Sequence, residues 1–231
     1  MRFANRPRRY LSVMRSIVSP LDGFASPFGP QRGFNPLRLF ANDEPGVWFE
    51  ANDATTLFTD VAGTTPVTTP GDAVALQLDK SQGLTLGPEL VTNGTFDSDA
   101  GWEKSSHWVI SGGAATMPLT AGYLPLYQVM AFTSAKTYLV EFDVTAITGT
   151  LQVLLNDDPI TSNKSNTLTV SATGRFSGLL TAQAGAEVLA ISRTGGASSC
   201  TIDNISVREL PGNHRTQATQ PRGGQITQDK A

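Results

Sequence analysis

Few side chains in this 231-residue chain could do covalent chemistry. The two histidines, His107 and His214, stand far apart, and His214 falls in a polar stretch close to the C-terminus. The single Cys200 lies in a strand-like run beside Thr201, without a motif that would activate a nucleophile. It reads as a small core residue. Asp157 and Asp158 are adjacent acids beside Pro159, the composition of a solvated turn. Paired-acid hydrolysis needs carboxyls held roughly 5–10 Å apart across a substrate, and neighbouring turn acids are no evidence for that. No His-x-x-x-His, Cys-x-x-Cys, P-loop or dinucleotide fingerprint occurs in strand–helix context. The expectation is that the chain is not an enzyme.

Binding chemistry has more to work with. Trp108, Tyr123 and Tyr127 are the aromatic side chains that could stack on a pyranose face, if strands hold them outward beside polar groups. Trp102 follows Gly101 and is expected instead to plug one end of a core. A second set lies near the N-terminus. Arg2, Arg6, Arg8, Arg9 and Arg15 are arginines able to pair with acidic patches, and Phe24, Phe28 and Phe34 are spaced anchors able to fill pockets on a neighbour.

Charge divides the chain in the same way. Residues 1–38 hold seven arginines against Asp22 alone, a net of +6, whereas residues 39–210 carry −11 and the stretch from Pro211 carries +2. An acidic body with a basic arm suits an acidic partner for the arm. Irregularly spaced phenylalanines favour a protein partner, since nonspecific phosphate contact needs no aromatic anchors, so DNA contact is not expected. The Arg-rich start also fits an organelle transit peptide, but the Phe/Pro/Gly continuation argues against it. No apolar run approaches 18 residues, so no membrane span is expected.

The elements that must position these groups are strands. Charged residues are only 16% of the chain, with 22 Gly and 14 Pro to punctuate it. Residues 1–38 read as an extended arm with one short amphipathic helix carrying Tyr10, Val13, Met14 and Ile17, stopped by Pro20. Residues 39–88 alternate short apolar pieces with turns, a small β-rich connector. In residues 89–210 the run TYLVEFDVTAI alternates, with Tyr138, Val140, Phe142 and Val144 on one face and Glu141 and Asp143 on the other. Further strands are predicted at 107–110, 151–155, 167–170, 175–180, 187–193 and 200–208. The expected fold is all-β, an antiparallel jelly-roll-like sandwich. Residues 211–231 read as a polar tail.

Three phrases carry a resemblance. ELVTNGTFDSDAGW, then WVISGGAAT, then CTIDNISVREL are similar to the opening, middle and closing motifs of the carbohydrate-binding-module-like sandwich common in tailed-phage tail and virion proteins. The block from Phe40 to Gly83 resembles a module that precedes this sandwich in phage proteins, and RELPGNHRTQAT resembles a linker of longer relatives. The resemblance implies a virion structural protein (a fibre-anchoring adaptor, tail-associated or head decoration protein), located in the virion. Its arm would dock on capsid, portal, tail or fibre subunits, and it would be a homo-oligomer in the particle. The alternative it implies is a module adhering to host-surface glycan. It further implies a structural calcium, with Asp97 and Asp203 as the matching carboxylates and no other cofactor.

Overall fold

The computed structural model describes residues 35–42, 44–120, 125–158, 160–193 and 196–216. The first strands are β1 (Leu57–Phe58), β2 (Leu76–Gln77), β3 (Glu103–Lys104), β4 (Val109–Ser111), β5 (Ala114–Thr120) and β6 (Leu126–Val129). They are followed by β7 (Thr137–Thr148), β8 (Leu151–Asn156), β9 (Leu168–Val170) and β10 (Gly174–Thr181). The last are β11 (Val188–Arg193), β12 (Ser198–Leu210) and β13 (Arg215–Thr216). Two five-stranded sheets form a sandwich: sheet I in the order β10-β7-β12-β5-β4 and sheet II in the order β3-β6-β11-β8-β9. All their pairings are antiparallel. The expected all-β antiparallel sandwich is what the chain forms.

The alternation in β7 is realised as predicted. Tyr138, Val140, Phe142 and Val144 are at most 2% exposed and face the core, together with Leu151, Val153, Leu155, Leu189 and Ile191 from sheet II. Each such side chain contributes about 1.5–3 kcal/mol by leaving water. Glu141 and Asp143 face out and meet Arg175 and Arg208. In β12 the inward set changes parity, from Cys200 and Ile202 to Ile205 and Val207. A register shift between Asp203 and Ser206, with Asn204 at φ 53°, is the cause. One extra residue in the left-handed region resets which face the strand buries. This bulge accounts for the Ile-Asp-Asn-Ile spelling of the closing motif.

Two domain boundaries need correction. The connector is not a separate unit, because Leu76 and Leu78 share a small apolar cluster with Leu179 and Leu210 of the sandwich. Nor does the polar tail begin at Pro211. Residues 215–216 form β13 and pair with β2, completing a three-stranded sheet β1-β2-β13. A two-strand ribbon alone has too little surface to bury the Leu76/Leu78 face, and the returning chain supplies the missing strand.

Asp79 ties these parts together. Its buried carboxylate accepts from Trp48 N at 2.8 Å, Ser81 N at 2.8 Å, Ser81 Oγ at 2.9 Å and Asn213 N at 2.9 Å. Its own amide donates to His214 Nδ1 at 3.0 Å. Burial alone would push the Asp79 pKa up, but the Trp48, Asn213 and Ser81 amides outweigh it and hold the carboxyl below its ordinary value.

Candidate functional site

The Asn-Gly-x-Phe-Asp motif proves to be scaffold. Asn93, at φ 56°, accepts the Asp97 amide on Oδ1 and donates through Nδ2 to the carbonyls of Ser98 and Ala100. Trp102 Nε1 donates to the Asn93 carbonyl at 3.0 Å, and its ring packs 5.0 Å from Phe96. Phe96 itself holds φ 51° with no exposed surface, a costly backbone state for a bulky residue that its burial maintains. A Cβ on Gly94 would collide with the Ile205 carbonyl oxygen, whose residue donates its amide to Gly94 O at 3.0 Å. The motif is therefore a lock between the first loop and β12, and Trp102 is the core plug the sequence suggests.

The two acids matched to calcium are each held by a neighbour in sequence. Asp97 Oδ2 accepts from Thr95 Oγ1 at 2.8 Å. Asp203 accepts from the Asn204 amide at 2.6 Å and from Asn204 Nδ2, which also reaches Asp143. Among the described residues no group of three or more His, Cys, Asp or Glu could hold a metal ion. Calcium takes six to eight oxygens, and Asp97 and Asp203 are each engaged within their own turn.

The titratable residues singled out for chemistry take structural roles among the described residues. Cys200 is buried and its thiol is pushed up to about 12 by that burial. His214 is fixed between the Asp79 amide and the Leu210 carbonyl. Asp157, read as a solvated turn acid, organises its own loop, accepting from the amides and hydroxyls of Thr161 and Ser162. The Thr161 hydroxyl and the two amides hold its carboxyl well below the usual range.

Of the three aromatic candidates, Trp108 is a correction. It is 2% exposed within the main core, because a turn closed by its amide on Ser105 O directs the large ring inward. A ring with no open face cannot stack on a sugar. Tyr123 lies outside the described residues, as do Arg2, Arg6, Arg8, Arg9, Arg15, Phe24, Phe28 and Phe34.

Tyr127 remains, and its strand explains its direction. In β6 Leu126 and Gln128 are buried while Tyr127 and Val129 alternate to the opposite face of sheet II. Gln128 fixes the strand by accepting from Thr92 N at 2.8 Å and donating to Thr92 O at 2.9 Å. Tyr127 stands opposite Glu103 on one side and Ala190 on the other. Its hydroxyl donates to Glu103 Oε2 at 2.7 Å, which with partial burial raises the phenol pKa. Further along the same face, Gln152 Nε2 donates to Ser192 Oγ at 2.8 Å, with Thr169 opposite Gln152. The result is a half-buried ring bonded to an exposed carboxylate, while its cross-strand neighbour Ala190 and, further along, Ser192 are fully buried. Glu103 and Gln152 carry no mark in the sequence, because cross-strand neighbours are set by register and not by spacing along the chain.

Comparison with known proteins found no matching family model and no matching curated protein. Solved structures do match over about half of the chain. A CBM4 structure is 22% identical, covering 52% of this chain and 99% of that one, with a TM-score of 0.38. A family 29 carbohydrate-binding module complexed with mannohexaose is 14% identical, covering 54% and 91%, with a TM-score of 0.40. The enzymatically active domain of bacteriophage CBA120 tailspike protein 4 is 11% identical, covering 53% of this chain and 21% of that one, with a TM-score of 0.36. Sheet order and register carry the description as an antiparallel sandwich, and these likenesses concern the fold alone.

Proposed function

We propose that this protein is a non-catalytic glycan-binding module, with a pyranose ring seated against Tyr127 on the outer face of sheet II. The single observation behind this reading is the Tyr127 platform: a half-buried ring locked to Glu103, opposite the small Ala190. Locking the ring before binding lowers the ordering cost of association. Beside it Glu103 is exposed and Gln152 half-buried, a carboxylate and an amide for sugar hydroxyls. Isothermal titration with polysaccharides taken from a glycan array tests it. Tyr127→Ala should weaken binding by about tenfold or more, the scale of one lost aromatic contact of roughly 1.4 kcal/mol. Wild-type protein that binds no glycan, or binding indifferent to Tyr127, contradicts the reading.

A second reading, a virion structural protein anchored by its arm, is favoured by the charge division between residues 1–38 at +6 and residues 39–210 at −11. An arm of that charge suits an acidic groove on a neighbouring subunit, with phenylalanines as anchors. Limited proteolysis of the free chain and of whole particles checks it. Residues 1–36 should be cut in the free chain and protected in the particle. Equal cutting in both removes the anchoring role.

A further inference from the structure

Sheet I ends at β10, and only half of that edge is closed. The β10–β7 register runs unbroken from Gly174 opposite Val144 to Thr181 opposite Thr137. In such a ladder alternate residues direct both N–H and C=O away from the partner strand. Leu179 N donates to Ala62 O at 2.5 Å, Thr181 N donates to Asn166 Oδ1 at 2.9 Å, and Asn166 Nδ2 donates to Leu179 O at 2.8 Å. The odd-numbered residues therefore face the free edge, so the main chain of Arg175 and Ser177 does as well. No main-chain bond from another described segment closes these two positions. The Arg175 guanidinium is drawn off to Glu141 and Asp143, leaving its backbone uncovered. Beside this open half lies a cavity of about 520 Å³ lined by Ala62, Phe142, Leu168, Val170 and Phe176. Phe176 is half-buried and stacks on Phe142 at 5.8 Å.

An open strand edge is a template for one more strand. We infer that this edge pairs with the same edge of a second copy, antiparallel about a two-fold axis at Phe176. Self-pairing is singled out by register. Centred on Phe176, Arg175 stands opposite Ser177 of the second copy and the reverse, so both open residues on each strand exchange their N–H and C=O bonds. The same centre brings the two half-buried Phe176 rings together. A shift one way sets Arg175 opposite its own like charge, which is unfavourable. A shift the other way sets Arg175 opposite Leu179, whose main chain is already occupied by Ala62 and Asn166. This inference is independent of the glycan reading.

The test uses the full chain in sedimentation equilibrium over a wide concentration range, with residue-resolved amide exchange. A reversible dimer is expected, with the Arg175 and Ser177 amides gaining protection as concentration rises. Ser177→Pro removes an edge N–H without touching the β7 ladder, so the fold should persist and dimerisation should weaken about tenfold or more. If Ser177→Pro fails to fold, amide exchange of the wild type still decides. A monomer at every concentration overturns the inference. So does a dimer in which these two amides exchange as they do in the monomer, or one that Ser177→Pro leaves intact.

Discussion

Asp79→Asn is a sharp test of how the connector is joined to the sandwich. The substitution keeps shape but turns one oxygen, with its acceptor capacity, into a donor. Oδ1 serves the Trp48 and Ser81 amides, and Oδ2 serves the Asn213 amide and the Ser81 hydroxyl. An amide group can keep the first pair. The Ser81 hydroxyl can rotate, but the Asn213 N–H must then face another donor. An unsatisfied buried N–H costs about 1–3 kcal/mol, and the bonds that remain lose the strengthening of a charged acceptor. The sum is a loss of about 2–4 kcal/mol, which for a domain of this size lowers Tm by about 5–12 °C. Thermal unfolding followed by tryptophan fluorescence measures the loss, and amide exchange locates it. Exchange should quicken at Trp48 and at Asn213 while β7 stays protected. A Tm within about 1 °C of wild type, or unchanged exchange at those two amides, would refute the clamp.

Three further outcomes follow from the same geometry. Gly94→Ala forces a Cβ onto the Ile205 carbonyl, and loss of about 3 kcal/mol or more is expected in urea denaturation. Cys200, with its thiol pushed up to about 12, should resist a thiol reagent at neutral pH until the protein is unfolded, when one equivalent reacts. Burial holds the His214 pKa below its ordinary 6.5, so the stability it lends is full above that pH and is lost as pH falls through the folded value. The pH dependence of Tm below about 6.5 should flatten in His214→Gln.

The sandwich was legible because its signals are local. β7 alternates along its own sequence, and β8 through β12 coincide with runs of branched and aromatic residues bounded by turns. β5 escaped notice because its AATMPLT is poor in branched residues and contains a proline. Pro118 falls where β5 shifts register against β12, a place where a missing N–H costs little. β13 escaped because two residues in a polar stretch become a strand only when β2 and Asp79 meet them. The aromatic candidates illustrate the same limit. A tryptophan just before β4 and a tyrosine in β6 look alike in sequence, yet a turn sends Trp108 inward and strand parity sends Tyr127 outward. Asn93 and Asp97 are likewise conspicuous as polar residues, and their partners turn out to be the loop itself.

We propose that the sheet II face around Tyr127 receives a saccharide, and titration calorimetry of the full chain with the best glycan from an array, run beside Tyr127→Ala and Gln152→Ala, decides it. Saturable binding by the wild type is expected, weakened by about tenfold or more in Tyr127→Ala and less in Gln152→Ala, with Tyr127→Ala keeping the wild-type Tm. Binding of equal strength in all three proteins, or none in the wild type, would contradict it.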